Sequence, residues 1–445
     1  VKILVEKKDS YTSQNVFYLE PESRWSYLVQ ESSSNDIAIK IDTAMAMIEK
    51  DNPSLEGALL SNFYAGLGAE IRTLKNLIDE INKIDPNKFH EEDLIGRVYE
   101  YFMQSYAVAS TKEEGEFYTP PSAVKLIAEL IEPYSGRVYD PACGSGGMFV
   151  QSMKFIEQHH GNKKNISIIG QEKNPDTRRL AKMNLAIRGI SYNLGSKSYG
   201  ESSSFTDDQH KDMKVDYIMA NPPFNLSNWG QEKLKDDVRW EYGIPPAGNA
   251  NFAWIQHMIH HLGPNGKIGL VLANGALSSQ SSGEGEIRRR IIEDDLIKGI
   301  VALPTQLFYS VTIPVTLWFI TKSKKQKGKT LFIDARNMGY MVDRKHRDFT
   351  DDDIQRLADT FSSFQDGTLE DVKGFCAVVN TKKIEEQDYI LTPGRYVGIE
   401  VVEEDDEPFD EKMNHLTSEL SEMFKKSHEL EEEIRGKLGA IGYKV

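Results

Sequence analysis

The sequence predicts an α/β fold, in which a doubly wound, mostly parallel sheet is preceded by a helical domain and followed by a helical tail. From about Arg137 onward, short apolar strands alternate with amphipathic helices, which is typical of parallel sheets. Apolar residues recur at helical spacing both before residue 110 and after residue 410. We therefore predict three domains with the bounds 1–110, 111–400 and 401–445.

The N-terminal domain contains two helical patterns. "DIAIKIDTAMAMIEK" and "AEIRTLKNLIDEINKI" each place their apolar residues on one face of a helix. The segment between them, "DNPSLEGALLSNFYAG", carries proline and glycine, so we predict that it is a connector.

Four strand–helix repeats build the predicted central sheet. The strands are "RVYD", "NISIIGQ", "VDYIMA" and "GKIGLVLAN", and a helical pattern follows each of them. Two later strands, "LIKGIVALP" and "TIPVTLWFITK", have no helix between them, so we expect an antiparallel pair at the edge of the sheet. "TLFIDAR" is expected to add one more strand.

The tail begins with an acidic run, "EEDDEPFDE", and continues as a helix with a narrow apolar seam. The seam repeats at alternating spacings of three and four over about three heptads. Its members are Met413, Leu416, Leu420, Met423, Ser427, Leu430 and Ile434. An isolated helix of this length is marginal in water. It therefore needs a partner, which is either the core of its own chain or helices of another chain, and we favour the second.

Composition limits the possible functions. The net charge is 53 − 68 = −15, so the chain needs a local basic groove or a basic partner to bind a polyanion. The best apolar run, "TIPVTLWFI", is much shorter than the roughly 18 residues of a membrane helix, so we expect no membrane span. Cys143 and Cys376 are the two cysteines. Such a low content argues against a disulfide framework and a structural zinc, and fits a reducing cytoplasm.

A glycine-rich loop follows the first core strand. "VYDPACGSGG" ends a strand at Asp140 and leads into a helix, an arrangement that lets backbone approach a ligand closely. Taken alone, the loop is explained at least as well by a tight turn without a ligand. The next strand ends at Glu172, and a carboxylate at that place can bind both hydroxyls of a ribose. Together the loop and the acid favour a nucleoside cofactor.

The loop also indicates which nucleoside is bound. It lacks the G-x-x-x-x-G-K-[ST] phosphate cradle, which argues against ATP hydrolysis, and it lacks a clean G-x-G-x-x-G for a pyrophosphate. Asp140 directs a negative charge at the pocket, which favours a cationic ligand. S-adenosylmethionine carries an ammonium, a sulfonium and a ribose, and it fits these observations.

"IMANPPFN" ends a later core strand with an amide, two prolines and an aromatic ring. The exocyclic amino group of adenine or cytosine is a weak nucleophile because its lone pair is delocalised into the ring. The Asn221 side-chain carbonyl and the Pro222 backbone carbonyl can accept its two hydrogens, while Pro222 and Pro223 keep the backbone rigid. Phe224 offers a face on which a flipped-out base can stack. The alternative is a structural Pro-Pro turn, but the position after the loop and the acid favours catalysis.

These motifs resemble a known family. "DPACGSGG", "GQEKN" and "NPPFN" are similar to the cofactor and catalytic motifs of amino-group DNA methyltransferases, and "GEFYTPP" is similar to their segment that closes over the methionine end of the cofactor. "NVFYLEPESRWSYL", "LPTQLFYSVTIPVTLWFITK" and "TLFIDARNMG" resemble the modification subunit of type I restriction–modification systems, and the resemblance runs nearly end to end. It implies an S-adenosylmethionine-dependent methyltransferase core that methylates adenine N6.

The resemblance also implies partners. It implies double-stranded DNA as substrate, a separate specificity subunit that reads the DNA, a restriction subunit, and two modification subunits for each specificity subunit. We expect no metal in the reaction, because the leaving group departs as a neutral thioether.

By the same resemblance, Asn221, Pro222, Pro223 and Phe224 hold the target adenine. The residues that contact the cofactor would be Glu116, Phe117, Tyr118, Thr119, Pro120, Pro121, Asp140, Pro141, Cys143, Gly144, Ser145, Gly146, Gly147 and Glu172. One position departs from the pattern, because Ser203 stands where relatives commonly place an acid that reaches the cofactor's adenine. Glu201, Asp207 or a serine hydroxyl can substitute, so this contact is left unassigned.

Two other functions stay open on the residues alone. A protein glutamine methyltransferase presents a similar Asn-Pro-Pro-aromatic motif to an amide nitrogen, but its family does not share the long N-terminal helical region. A non-catalytic scaffold would bind cofactor and assemble a DNA-bound complex. Intact Asn221, Pro222 and Glu172 argue against such a scaffold.

Four weaker features are interpreted as structural. The basic loop "KSKKQKGK" at 322–329 is predicted to be a solvated hairpin tip rather than a phosphate contact. "RRR" at 288–290 is predicted to be a solvent-facing helix surface. The histidines at 260–261 lack partners at metal-ligand spacing. Phe252 and Trp254 are predicted to lie in a helix core rather than in a base-binding box.

Overall fold

The computed structural model of the chain describes residues 8, 11, 16–60, 62–84, 98–99, 101, 119–162, 165–196, 200–308, 313–399 and 409–440. The chain divides into two compact units, Val1–Ile399 and Glu400–Val445. The predicted domain boundary at residue 110 stays a prediction.

Helices and strands alternate through the first unit. Its helices are α1 (Trp25–Gln30), α2 (Ile37–Asp51), α3 (Phe63–Gly66), α4 (Ile71–Asn82), α5 (Pro121–Ile131), α6 (Gly147–Gln158), α7 (Pro175–Ile187), α8 (Asn251–His261), α9 (Gly275–Ser278), α10 (Glu284–Glu293), α11 (Asp351–Asp366) and α12 (Thr381–Glu385). Its strands are β1 (Gly136–Asp140), β2 (Ile166–Gly170), β3 (Tyr192–Asn193), β4 (Val215–Ala220), β5 (Leu262–Ala273), β6 (Ile297–Ala302), β7 (Val315–Thr321), β8 (Lys329–Asp334), β9 (Tyr340–Met341), β10 (Arg347–Asp348) and β11 (Cys376–Asn380). Short 3-10 helices span Pro21–Ser23, Pro53–Leu55, Gln231–Lys233, Ser281–Gly283 and Pro393–Arg395.

Nine strands form one sheet in the order β11-β8-β6-β7-β5-β4-β1-β2-β3, and β9 and β10 form a separate pair. β1 pairs in parallel with β2 on one side and with β4 on the other, so the chain crosses to the other half of the sheet between β3 and β4. β7 is antiparallel to both β5 and β6, and β8 is parallel to β6. The predicted doubly wound α/β fold is confirmed.

Neighbouring residues of a strand face opposite helix layers. Val138 of β1 lies in an apolar cluster with residues of α5, α6 and α11, whereas the adjacent Tyr139 lies in a second cluster with residues of α8 and α10. Phe252 and Trp254 belong to the second cluster, which confirms that they are core residues. Because helices cover both faces, the carboxyl ends of the strands form the natural place for a site.

The predicted N-terminal helices are α2 and α4. Leu74 and Ile78 of α4 pack against Ile37 of α2 in a small apolar cluster. The connector that follows α2 meets α7, where Lys182 Nζ donates to the Glu56 carbonyl at 2.6 Å. The N-terminal helices are thereby joined to the helix that follows β2.

Two helices of the core begin at strong local signals. At α7 the Asn174 side chain accepts the N–H groups of the next turn, and Pro175 occupies the first helical position. At α11 Thr350 and Asp353 form a capping box. These caps fix where each connection from the sheet turns into a helix.

One part of the strand prediction is wrong. The predicted antiparallel pair is β6 and β7, and "TLFIDAR" forms β8. This pair does not lie at the edge of the sheet, because β8 and β11 extend the sheet beyond β6. The second edge of β6 is taken by parallel pairing with β8.

Two basic segments are more buried than predicted. Arg288 is 1% exposed and donates to backbone carbonyls, whereas Arg289 and Arg290 are in surface ion pairs. In the basic loop, Lys324 is buried and pairs with Asp295. The prediction of a solvated surface is therefore wrong at Arg288 and Lys324, where hydrogen-bond and charge partners offset the cost of burial.

The second unit contains the helix α13 (Phe409–Ala440). Within it, the seam residues Leu420, Met423, Leu430 and Ile434 are all exposed. Nowhere in the described part of the chain is a helix both long enough and apolar enough to span a membrane.

Candidate active site

The three motif-bearing strands lie side by side, so their carboxyl termini meet at the same end of the sheet. β1 lies between β2 and β4, and the three run in parallel. Asp140 closes β1, Glu172 follows β2, and Asn221 follows β4. The chain changes direction across the sheet at β1 and β4, and ligands of open α/β sheets bind outside the strand ends at such a switch point.

Asp140 lies at the base of the glycine loop and is 1% exposed. Its Oδ1 accepts the Ala142 N–H at 2.9 Å. Burial raises the pKa of Asp140 well above its ordinary value, the Ala142 N–H opposes this, and the charge of Glu172 adds to it. A cationic ligand beside Asp140 would restore the ionised form, so the position suits a positive group.

The loop above Asp140 leaves room for a ligand. Gly144 has a φ of +53°, in the left-handed region that favours glycine. A Cβ built at Gly144 or at Gly147 would meet no atom within 4 Å among the residues that the structure describes. Backbone at these positions can therefore be approached closely.

Glu172 is held by the backbone on both sides. Its Oε2 accepts the Gly144 N–H at 2.9 Å, and its Oε1 accepts the Asn174 N–H at 2.9 Å. Buried Arg178 donates to the Glu172 carbonyl and to the Gly200 carbonyl. The acid is thus oriented at the glycine loop before any ligand arrives.

Asn221 has one satisfied and one unsatisfied end. Its Nδ2 donates to the Thr119 Oγ1 at 2.9 Å. Its Oδ1 is buried and has no hydrogen-bond partner among the described residues. A buried acceptor without a donor costs about 1–3 kcal/mol. The bond to Thr119 therefore holds the amide so that its carbonyl faces a place where a donor is missing.

A group of asparagines fixes the backbone beyond Phe224. Asn225 has a φ of +53°, and its N–H donates to the Asn251 Oδ1 at 3.1 Å. The Asn225 Oδ1 accepts from the side chains of Asn249 and Asn251 at 3.2 and 3.0 Å. Asn251 is the first residue of α8 and is 1% exposed. The loop that carries Asn221 is therefore tied to the start of a buried helix.

The sequence also matches proteins of known family. The N-6 DNA Methylase family matches residues 90–405. The HindI type I restriction enzyme methylase subunit of Haemophilus influenzae is 52% identical over 418 residues, which cover 92% of this chain and 93% of that protein. This chain belongs to the type I restriction enzyme methylase subunits.

Other relatives agree with this assignment. The MjaIX methylase subunit of Methanocaldococcus jannaschii is 40% identical over 454 residues, which cover 99% of this methylase subunit and 80% of its relative. In fold, the methylase subunit resembles the type I restriction–modification methyltransferase subunit of Streptococcus thermophilus, with a TM-score of 0.76 at 23% identity, over 89% and 86% of the two chains. Membership in this family supports a DNA methylase over a protein glutamine methyltransferase or a non-catalytic scaffold.

The methylase subunit brings most of the predicted site residues to the carboxyl ends of its parallel strands. Thr119 meets Asn221, so the segment predicted to close over the cofactor adjoins the predicted catalytic motif. Pro120 and Pro121 are the N-cap and first residue of α5. Glu116, Phe117 and Tyr118 lie outside the described residues. The individual roles of the predicted site residues stay predictions.

The other loop and motif residues lie as follows. Cys143 is buried, and its N–H donates to the Gln171 carbonyl at 3.0 Å, which joins the glycine loop to the end of β2. The Pro141 carbonyl accepts the Ser204 hydroxyl, and the Ser145 carbonyl accepts the Asn184 side chain. The remaining members are placed by burial: Gly146 and Pro222 are buried, while Ser145, Pro223 and Phe224 are half-buried.

The segment with the departing Ser203 forms a turn near the end of β2. The Ser203 carbonyl accepts the Asp207 N–H at 2.8 Å, and the Asp207 Oδ1 accepts the Gln209 side chain at 2.8 Å. Glu201 is exposed and lies 3.7 Å from the Lys173 ammonium. Of the three possible substitutes for the missing acid, Glu201 therefore faces solvent, whereas Ser203 and Asp207 belong to the turn itself.

A buried polar cluster, which sequence reasoning missed, lies beside Asp140. We call it the histidine network, and its members are Tyr139, Asp208, Arg239, His257 and His261. Arg239 donates to the His257 Nδ1 at 3.0 Å, so the His257 Nε2 carries the hydrogen and donates to the Tyr139 hydroxyl at 3.0 Å. The His261 Nε2 lies 3.0 Å from the Asp208 Oδ2. Arg239 also donates to the Ser204 and Phe205 carbonyls at 2.9 and 2.6 Å, which couples the network to the turn above.

The histidine network resembles a metal site only in its spacing. Ligand atoms of Asp208, His257 and His261 lie within 4.8 Å of one another. Both nitrogens of each imidazole already face a hydrogen-bond partner, and the Arg239 guanidinium lies 3.8 Å from the Asp208 Oδ2. Burial alone would raise the pKa of Asp208, but the His261 hydrogen bond and the nearby imidazoles lower it below its ordinary value. The carboxylate is thus stabilised by partners that are already present, first of all by the His261 hydrogen bond.

We expect the protein to lose stability as the pH falls below about 6.5, the ordinary pKa of histidine. Burial lowers the pKa of His210, burial and neighbouring charge lower that of His257 well below its ordinary value, and burial with the charge of Lys214 lowers that of His260 to about 4. The unfolded chain therefore binds more protons than the folded chain in this range, so the free energy of unfolding decreases as the pH decreases. Urea unfolding at pH 7.5, 6.0 and 5.0 measures this.

Asp140 and Glu129 act in the opposite sense, because burial raises the pKa of each and lets the folded state bind protons, but they are two groups against three imidazoles. His260→Gln should flatten the pH dependence, whereas His428→Gln on the exposed face of α13 should leave it unchanged. Equal stability at pH 7.5 and 5.0 in the parent protein would contradict the prediction.

Proposed function

We propose that this methylase subunit transfers a methyl group from S-adenosylmethionine to the N6 amino group of adenine in double-stranded DNA. The single observation that carries the proposal is the Asn221 amide, whose Nδ2 is used by Thr119 and whose buried Oδ1 has no partner among the described residues. An amino group with hydrogens to donate is the chemical group that such an orphaned acceptor fits.

The chemistry requires an amino group with an available lone pair. When bound, S-adenosylmethionine supplies a methyl group on a positively charged sulfur. The Asn221 Oδ1 accepts one amino hydrogen, and the adjacent Pro222 carbonyl accepts the other. The two acceptors keep the lone pair on nitrogen and direct it toward the methyl carbon. As the N–C bond forms, the C–S bond breaks, the sulfur leaves as a neutral thioether, and the nitrogen gives up one proton to water. Phe224 stacks on the extruded base. Since the loop is tied to α8 through Asn225 and Asn251, these groups need little further ordering.

The glycine loop fits this cofactor. Buried Asp140 suits a cationic group, and the space beside Gly144 and Gly147 allows close approach to backbone. Glu172 is oriented at the loop by two backbone N–H groups and would bind the ribose hydroxyls. A phosphate-bearing nucleotide would instead bring negative charge toward two carboxylates.

The direct test is methyl transfer. The chain is purified together with its partner subunit, incubated with S-adenosylmethionine carrying a tritiated methyl group and with DNA, and the DNA is digested to nucleosides. We expect the label in N6-methyladenine. Label in N4-methylcytosine would change the proposed base, and label in protein with none in DNA would overturn the proposal.

Replacing Glu172 by glutamine is expected to weaken binding of S-adenosylmethionine by about 10- to 150-fold. The physical reason is that a hydrogen bond to a charged group contributes about 1.5–3 kcal/mol. Titration calorimetry on the folded variant measures the change. Glu385→Gln is the matched control, because Glu385 is an exposed acid on α12 with no place in the predicted cofactor site. Equal affinities of Glu172→Gln and the parent would remove Glu172 from the ribose site.

The partners follow from the same proposal. The relatives are named as subunits of type I restriction enzymes, and the chain's net charge of −15 favours a partner that binds the DNA. We propose a specificity subunit as that partner, a restriction subunit as a further component, and two methylase subunits for each specificity subunit. Native mass spectrometry of the purified complex counts these chains. The two free cysteines fit assembly in a reducing cytoplasm.

The exposed seam of α13 is the proposed docking surface for the specificity subunit. Leu420, Met423, Leu430 and Ile434 are exposed and repeat at the spacing of a coiled-coil seam. Helices of a partner would bury this seam, as helices do in a bundle.

A further inference from the structure

A small β-hairpin lies at the end of the sheet where the strands' carboxyl termini form the candidate active site. Its strands β9 and β10 are antiparallel and follow β8 in the chain. β8 is parallel to β6, and β7 is antiparallel to both β6 and β5, so β8 runs in the same direction as β4. The carboxyl ends of β8 and β4, at Asp334 and Ala220, therefore lie at the same end of the sheet. Four strand spacings separate them, or roughly 19 Å.

The hairpin has a defined shape. Gly339 has a φ of +82°, and a Cβ there would lie 2.5 Å from the Asp348 carbonyl oxygen, so only glycine fits. The Arg347 N–H donates to the Gln306 carbonyl at 3.0 Å, and the Arg347 guanidinium donates to the Met338 carbonyl at 2.9 Å. The first bond fixes the hairpin to the connection that follows β6, and the second closes its base against the segment that follows β8.

The outer surface of the hairpin is both apolar and basic. Tyr340, Met341 and Val342 are 50%, 42% and 53% exposed. Arg344 and Lys345 at the tip are exposed, and neither has an ion-pair partner in the described part of the chain. Hairpin 340–348 contains three Lys or Arg and two Asp, which gives 3 − 2 = +1, against −15 for the whole chain.

Charge and position point to one occupant. The hairpin concentrates positive charge in an acidic chain, and duplex DNA is the polyanion that the proposed function brings to this end of the sheet. Arginine and lysine at a hairpin tip suit phosphates, and an aromatic ring with aliphatic neighbours suits the apolar wall of a groove. The other basic loop, 322–329, connects the end of β7 to the start of β8. It therefore lies at the opposite end of the sheet from the candidate active site.

Resting on the proposed function, we propose that hairpin 340–348 is a DNA contact, with Arg344 and Lys345 on the phosphate backbone and Tyr340 against the groove. The hairpin would hold the duplex beside the pocket without reading its sequence.

The test is a salt titration of DNA binding by the methylase subunit in complex with its specificity partner. Each phosphate contact contributes about −0.9 to the slope of log Kobs against log salt concentration. Arg344→Gln with Lys345→Gln should therefore make the slope less negative by about 1.8. The loss should be equal on cognate and non-cognate duplexes. Tyr340→Ala should weaken binding without changing the slope, because the ring carries no charge.

The matched control is Lys382→Gln with Lys383→Gln. These lysines are exposed on α12. The Thr381 N–H beside them donates to the Gly328 carbonyl, which lies at the end of the sheet opposite the candidate active site. The control should retain the parental slope. An unchanged slope in the Arg344/Lys345 variant would overturn the inference, as would loss of complex assembly, which would make the hairpin a protein interface. A parental complex that neither binds nor methylates DNA would instead overturn the proposed function.

Discussion

Asn221→Ala is expected to lower kcat for methyl transfer by about 100-fold or more while sparing folding and most of the cofactor affinity. Removing one group that stabilises a transition state costs about 10²–10³ in rate in comparable sites. Alanine also removes the bond from the Asn221 Nδ2 to the Thr119 Oγ1, but such a bond contributes only about 0.5–1.5 kcal/mol net to stability. The buried Oδ1 that it deletes has no partner in the described structure. The loss should therefore appear in kcat rather than in binding of the cofactor. Single-turnover rates, calorimetry and circular dichroism separate the three.

Thr119 provides the matched variants. Thr119→Val keeps the shape of the side chain but removes the oxygen that accepts the Asn221 Nδ2, whereas Thr119→Ser keeps it. A net hydrogen bond contributes about 0.5–1.5 kcal/mol, so the valine variant should lose about two- to tenfold in kcat and the serine variant should stay near the parent. A parental rate in Asn221→Ala would show that the proposed acceptor is not used. Equal rates in the two Thr119 variants would separate Thr119 from the orientation of Asn221.

Deleting residues 411–445 is expected to abolish both co-purification with the specificity subunit and site-specific methylation, while S-adenosylmethionine binding stays intact. The physical reason is that the exposed seam of α13 has enough apolar side chains to dock helices but is too narrow for a stable isolated helix. Affinity co-purification and methylation of a defined site measure the two losses, and calorimetry measures the cofactor.

Point variants of α13 make this prediction specific to the seam. Leu420→Glu with Leu430→Glu places two charges on the seam, and Ser418→Glu with Ser421→Glu places two charges on the exposed residues outside it. Only the leucine variant should lose the partner. A truncated protein that still co-purifies and methylates the same sites would refute docking through the tail, and equal behaviour of the two double variants would refute the seam as its surface.

The core of the site could be predicted because its signals are local. Asp140, Glu172 and Asn221 each end an apolar strand in residues that cannot continue it, so their positions at strand ends follow from a few neighbours in sequence. Parallel strands then bring such residues to the same end of the sheet. The direct bond between Thr119 and Asn221 could not be predicted, because it joins residues 102 positions apart.

The residues that the sequence did not reveal have ordinary local patterns. His257 and His261 lie in a helix with apolar neighbours, and Arg239 lies in an irregular segment, so only the folded chain brings them together around Asp208. Arg288 looked like a solvent-facing cation because its acceptors are backbone carbonyls from elsewhere in the chain. The inner position of β6 and β7 was missed for a similar reason, since strand order depends on pairing rather than on the pattern within a strand.

The pairing of β1 with β4 also sets an order of events during synthesis. β1 ends at Asp140 and β4 begins at Val215, so one edge of a strand whose last three residues are buried in the folded protein has no neighbour until about 75 more residues have been made. At about 5–20 residues per second, this interval lasts roughly 4–15 s. Until then the nascent chain presents an open strand edge of the kind that pairs with other chains. We therefore expect the arrangement that creates the binding crevice to expose the nascent chain to aggregation, so chains truncated before Val215 should be insoluble whereas chains that extend past Ala273 are not.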